Sequence, residues 1–214
     1  MLRKSDNQPI TSRFGEAVWL NSFITPDSPD VKLKHQELVR GFDTVDERIA
    51  ALWNYVAQIP YTRTVSAKLT VEGQSRSQGD TWLFPSEIIT LAPKANCANK
   101  SFLLTSLLRN ELPAYQVRCV MGHIRMDGIG AHAWCEVSPH GNPYILETTV
   151  TDIRRALVPT GYAPEYEPVL YLTDMGIDVV DESEGIGIID ERFGYCAVEF
   201  LREYLCERCI NLLG

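Results

Sequence analysis

The feature that most constrains this chain is a change of hydrophobic period. Up to about residue 110 the apolar residues recur at three- and four-residue spacing; beyond it they fall into short blocks bounded by turn formers. In "DTVDERIAALWNYVAQIP" the residues Val45, Ile49, Leu52, Trp53 and Val56 share one helix face, with Asp43 or Thr44 as N-cap and Pro60 as the stop. "VKLKHQELVRGF" reads as an earlier helix that follows the turn-rich "TPDSPD" and ends at Gly41. "NCANKSFLLTSLLRN" repeats Phe102, Leu104, Leu107 and Leu108 behind Asn96. Three strand-like segments come next: "YQVRCVMGHI" at 115–124, "AHAWCEV" at 131–137 and "PYILETTV" at 143–150. The order predicts an α+β fold, with N-terminal helices and a central helix carrying Cys97 packed on an antiparallel sheet.

Length and charge narrow the class. A chain of 214 residues suits one domain with appendages. Its net charge of −8 argues against nucleic acid as a partner, because binding the phosphate backbone needs clustered Lys and Arg. No stretch reaches the roughly 18 apolar residues of a membrane span, and the first residues carry no apolar signal-peptide region, so the expected setting is cytoplasmic with no membrane partner. Cys119 and Cys135 sit inside apolar strand-like runs, where a thiol behaves as a small hydrophobe. "CERC" at 206–209 has metal-site spacing, but no second pair completes a zinc set.

The rest divides by texture. "EGQSRSQGD" within the polar stretch 61–79 reads as an exposed loop, a candidate to face substrate. Beyond Val150 come a Pro- and Gly-bearing connection, a short strand in "VLYLTD", an acidic segment over 174–191 and a terminal helix over "YCAVEFLREYLCERCINLL". The expected organisation is an N-terminal segment 1–24, a core 25–155 and a C-terminal extension 156–214 packed on that core.

The chemistry gathers in the hairpin. A turn in "SPHGNP", centred near 139–140, sets His132 opposite Glu147 and Trp134 opposite Ile145 on one face, with Ala133 against Leu146 and Cys135 against Tyr144 on the other. A carboxylate beside an imidazole fixes its tautomer and stabilises the imidazolium. Cys97 qualifies as the nucleophile on local grounds. Asn96 as N-cap puts it in the first turn, where the helix dipole favours a thiolate, and Lys100 adds a positive charge nearby.

"NCANKSFLLTSLLRN", "AHAWCEV" and "YILETT" resemble the three motifs of the transglutaminase-like superfamily, a branch of the papain-like thiol enzymes: a Cys opening a helix, a "HAW" strand, and an acid-x-Thr on the next strand. The resemblance covers roughly residues 25–150. It implies Cys97 as nucleophile, His132 as base and Glu147 as orienting acid, in a bacterial-type transglutaminase-like core. Two departures stand out: "AN" precedes Cys97 where the family carries acidic residues, and Glu147 replaces the family's Asp. Upstream candidates for the oxyanion or substrate contacts are Trp82, Gln74 and Gln78, with Trp134 beside His132. The implied activity is acyl transfer from a peptide or protein amide through a thioester, either hydrolysis or transamidation, with no metal or cofactor. The competing expectation is a catalytically silent scaffold for protein partners. Oligomeric state leaves no mark in the sequence.

Overall fold

The computed structural model describes residues 2–4, 10–14, 16–71, 74–78, 81–91, 94–125 and 129–180. In chain order the elements are β1 (Leu2–Lys4), β2 (Ile10–Arg13), β3 (Glu16–Trp19), α1 (Pro29–Leu38), α2 (Val45–Gln58), β4 (Ala67–Val71), β5 (Gln74–Gln78), α3 (Pro85–Leu91) and α4 (Cys97–Leu108). There follow β6 (Val117–Arg125), β7 (Ile129–Val137), β8 (Tyr144–Leu146), α5 (Ile153–Ala156), β9 (Leu157–Pro159), β10 (Tyr166–Thr173) and β11 (Gly176–Val180). Seven strands make one antiparallel sheet in the order β1-β11-β10-β6-β7-β8-β9. The fold is therefore α+β with helices preceding most of the sheet, as the change of period requires.

Helix ends follow local chemistry. Thr44 caps α2 in a capping box: its hydroxyl accepts the Glu47 N–H at 3.3 Å, and the Glu47 carboxylate accepts the Thr44 N–H at 2.9 Å. Pro60 follows the extended Ile59 that ends the helix. Asn96 caps α4 by accepting the Asn99 N–H at 2.9 Å. Every residue of α4 from Ala98 to Leu108 is buried, because α1, α2 and α3 pack on one side and β6 and β7 on the other. Each fully buried leucine on it contributes roughly 1.5–3 kcal/mol. Its polar residues are tied outward: Asn99 accepts from Leu83 N–H at 2.9 Å, Ser106 accepts from Thr25 N–H at 2.9 Å, and Thr105 donates to the Cys135 sulfur at 3.5 Å.

The polar stretch after Tyr61 departs from expectation. It is not a loop throughout: β4 and β5 pair from Ala67↔Gln78 to Val71↔Gln74. Polar strands lack the apolar alternation that marks a half-buried strand, so the period gave no sign of them. Beyond Val150, β10 and β11 form a hairpin that enters the main sheet beside β6, and β1 pairs with β11 at its far edge. Strands from both ends of the chain thus complete the sheet that carries the central motifs. The terminal helix expected after residue 190, with Cys196, Cys206 and Cys209, lies outside the described residues.

The β7–β8 hairpin keeps the expected faces but not the expected partners. Cys135 pairs with Leu146, Glu136 with Ile145 and Val137 with Tyr144, two residues further along β8 than the sequence centre implies. The turn is asymmetric: Gly141, at φ +88, returns its N–H to Ser138 O, and Asn142 and Pro143 follow before β8 begins. A shift of two preserves the side-chain faces. Ala133, Cys135, Val137, Tyr144 and Leu146 pack beneath α4 and its neighbours, while Trp134 and Ile145 pack on the reverse with Val120 and Ala163.

Gly122, paired with His132 across β6 and β7, lies against the irregularity where β10 shifts register between Pro168 and Leu170. A Cβ there would stand 2.0 Å from the Glu167 carbonyl oxygen, so only glycine fits this close approach. Gly122→Ala is expected to lower the unfolding free energy by about 1–3 kcal/mol, read from the urea midpoint.

Candidate active site

Cys97 opens α4 at the point where the chain is pinned from behind. Ala95 donates its N–H to Pro60 O and accepts the Thr62 N–H, each at 3.0 Å, so the residues before the cysteine run beside Tyr61. The Cys97 sulfur is hydrogen-bonded by His132 and by the backbone N–H groups of Ala133 and Ala98. Burial works to raise the thiol's pKa, but the His132 hydrogen bond and charge, joined by the two N–H groups, carry it below its ordinary value. Lys100, expected to add charge beside the thiol, is spent elsewhere. Its ammonium is buried and donates to Ala57 O at 3.0 Å and Ile59 O at 2.9 Å, closing the C-terminal end of α2. Burial pulls its pKa down to about 8, against the opposing pull of the Glu147 charge.

His132 Nε2 lies 2.7 Å from Glu147 Oε2, which leaves Nδ1 as the ring nitrogen for the sulfur. Burial alone would lower the imidazole pKa; hydrogen bonds to Cys97 and Glu147, and their negative charges, raise it to about 10. Glu147 is 3% exposed. Burial acts to raise its carboxyl pKa, yet His132 and Thr149 together hold it below the usual range. Thr149 donates both its backbone N–H, at 2.8 Å, and its hydroxyl, at 2.7 Å, to Oε1, and Tyr166 donates its hydroxyl to Oε2 at 3.1 Å. The backbone of Glu147 is fixed as well: its carbonyl accepts the Trp53 indole N–H, and its N–H donates to Ala156 O, both at 2.7 Å.

The register explains why a glutamate can serve here. Extending the observed pairing one step past Leu146 would set Glu147 against Trp134, so His132 lies diagonally across rather than opposite. Diagonal neighbours on one face are about 7–8 Å apart, and the extra methylene of Glu helps to span that distance.

Aromatic rings back the imidazole. Trp134 is fully buried, stacked at 6.1 Å and 27° on His132 and edge-on to Tyr166 at 5.1 Å; its indole N–H goes to Glu136. It packs behind the imidazole, buried between His132 and Tyr166. Trp82 is half-buried and edge-on to Phe102 at 5.6 Å, in the cluster against which Cys97 also packs. Gln78 ends β5 opposite Ala67, and Gln74 begins it opposite Val71. Asp152 caps α5 by accepting the Arg154 N–H at 3.1 Å and takes no part in the site. Cys119 and Cys135 are fully buried core residues, both with pKa values raised by burial. Sequence reasoning missed Tyr166, Trp53 and Tyr61. Thr149 stood in the acid-x-Thr motif without a role, whereas Tyr166 and Trp53 are joined to Glu147 by tertiary contact alone. Tyr61 is half-exposed, its phenol pKa raised by burial and by the neighbouring Cys97 charge. Among the described residues no three His, Cys, Asp or Glu side chains converge as metal ligands would, and no helix is long and apolar enough to cross a membrane.

No family model matches the chain, and no curated protein matches it. Solved structures do. Legionella pneumophila LapG, in its EGTA-treated form, superposes with a TM-score of 0.52 at 15% identity over 87% of this chain and 95% of that one. A second LapG structure gives a TM-score of 0.50 at 15% identity, covering 88% and 94%. The fold is transglutaminase-like. At this identity the likeness speaks for architecture, and the chemistry rests on the side chains above.

The paired shifts of Cys97 and His132 set a pH signature. A thiol with lowered pKa keeps more thiolate below the ordinary Cys range, so the midpoint of the pH–rate curve for alkylation of Cys97 by iodoacetamide is expected below that of a free cysteine, about 8.5. In His132→Ala burial is left less opposed, and the midpoint of the pH–rate curve moves up above that range. Stopped-time mass spectrometry of the Cys97 peptide reads both curves.

Proposed function

We propose that the protein is a cysteine-dependent hydrolase of peptide bonds, with Cys97, His132 and Glu147 as its triad. The observation that carries this reading is the unbroken series of hydrogen bonds from sulfur to imidazole to a buried carboxylate, drawn from α4, β7 and the turn after β8. A surface ion pair or a core histidine has no need of a thiol on its second nitrogen. The likeness in fold to LapG, a bacterial cysteine protease, supports the same reading.

The Cys97 thiolate attacks the carbonyl carbon of the scissile amide, forming the C–S bond as the carbonyl π electrons move onto oxygen. The Cys97 N–H lies in the first turn of α4, where helix N–H groups have no intrahelical acceptor, and supplies one donor for that oxyanion; the Trp82 indole is the candidate second. Collapse of the intermediate breaks the C–N bond, and the His132 imidazolium gives its proton to the departing amine. Neutral His132 then takes a proton from water, which attacks the thioester and releases the acid and the thiolate. Glu147 keeps the ring in position and stabilises its charged form throughout. An amine in place of water would give transamidation by the same steps.

Two results test the assignment. Cys97→Ala is expected to abolish cleavage of fluorescein-labelled casein and to remove the acyl adduct seen by intact-mass spectrometry after exposure to a peptide library. Glu147→Asp, too short for the diagonal, is expected to lower the cleavage rate at least about tenfold while leaving the fold intact by circular dichroism. Unchanged turnover in Cys97→Ala would leave a scaffold role in place of the enzyme.

A further inference from the structure

The two flanks of β6 differ by one irregularity. Against β7 it pairs without interruption from Val117↔Val137 to Arg125↔Ile129. Against β10 the pairs run Leu172↔Cys119, Tyr171↔Val120 and Leu170↔Met121, then resume one residue out of step as Pro168↔Gly122, Glu167↔His123 and Tyr166↔Ile124. Val169 is the residue left over, exposed in a β-bulge.

That bulge decides which face of the sheet Tyr166 occupies. Side chains alternate along a strand, so a slip of one residue moves each of them to the opposite face. Had the register of Leu170, Tyr171 and Leu172 run on, Tyr166 would stand opposite Arg125, on the face that Cys119 and Met121 turn toward α4. The bulge sets it opposite Ile124 instead, on the face of Val120 and Trp134. There its ring lies edge-on to Trp134 at 5.1 Å and 6.2 Å from His132, and its hydroxyl reaches Glu147 Oε2 at 3.1 Å. Gly122 permits the irregularity, because the Glu167 carbonyl fills the space that a Cβ at 122 would need. Bulges recur beside functional sites for this reason: they re-aim a side chain without breaking the sheet.

We propose that Tyr166 is a positioning residue of the Cys97, His132 and Glu147 site, holding the Glu147 carboxylate against the imidazole. His132 and Tyr166 share Oε2, while both Thr149 donors go to Oε1. Thr149 alone would leave the carboxylate free to pivot about Oε1, and the phenol blocks that pivot at the oxygen that meets His132. Burial first, then the Glu147 charge and hydrogen bond, with the Glu165 charge adding, push the phenol pKa up, so the hydroxyl stays protonated and remains a donor. The β10–β11 hairpin, which lies beyond the stretch that resembles the family core, thereby becomes part of what sets the site. This role rests on the reading of Cys97, His132 and Glu147 as a triad.

The test is the pH–rate curve for alkylation of Cys97 by iodoacetamide in the full chain, which needs no substrate. Tyr166→Phe keeps the ring and removes the donor. Glu147 then turns from His132, the imidazolium is less stabilised, and the midpoint of the curve is expected to rise by about one pH unit, roughly a tenfold loss of thiolate below it. The His132 ring, followed by nitrogen-15 NMR, is expected to give up its proton at a lower pH than in the wild type. Tyr171→Phe is the control: Tyr171 packs in the same apolar cluster, 3.7 Å from the Arg118 guanidinium, and loss of its hydroxyl is expected to leave the curve in place. A lowered wild-type midpoint that stays lowered in Tyr166→Phe, or an equal rise in both variants, would overturn the positioning role. A wild-type midpoint at the free-cysteine value would instead overturn the triad reading, and the positioning role with it.

Discussion

A carboxylate removed from water costs several kcal/mol unless its oxygens are satisfied. Glu147 is such a group, and it is satisfied by four donors: His132, Tyr166, and the N–H and hydroxyl of Thr149. The charge that cannot leave holds the imidazole in its protonated form, and the imidazolium in turn holds the Cys97 thiolate. Removing any donor shifts the cost onto the remaining ones, so the site is set by the fold around Glu147 as much as by the Cys97 sulfur.

The groups that fix Glu147 and its surroundings come from widely separated parts of the chain. Trp53 on α2 fixes the Glu147 backbone, Tyr166 on β10 reaches its side chain, and Lys100 on α4 ties the end of α2 beside the segment that runs along Ala95. The hydrophobic burial of α4 sets the distance between cysteine and sheet, because a helix buried on all sides cannot tilt without opening cavities. The shortness of β8 then does two things at once. It turns Glu147 out of the ladder toward His132, and among the described residues it leaves the β7 backbone beside Cys97 without a strand partner.

What could be read from the sequence was whatever local chemistry decides. Thr44 and Asn96 as caps, the apolar stripe of α2, and the two faces of the β7–β8 hairpin all follow from spacing within a few residues. The hairpin register lies two residues from the one its composition implies because Asn142 and Pro143 extend the turn on one side only, which "SPHGNP" does not reveal. The faces survived, since a shift of two leaves them alone, and the same shift accounts for glutamate at position 147. The paired strands β4 and β5 were hidden by their polarity. The true partner of Lys100 and the contribution of Tyr166 are products of tertiary packing, beyond any local pattern.

The central claim is that His132 is held as an imidazolium between a thiolate and a buried carboxylate. Nitrogen-15 NMR of the histidine rings at pH 8, with His132 assigned by its loss in His132→Ala, tests it most directly. The account predicts that both His132 nitrogens are protonated at that pH and that the ring gives up its proton only as the pH approaches about 10. A ring already neutral at pH 8, titrating near the ordinary histidine value of about 6.5, would contradict it.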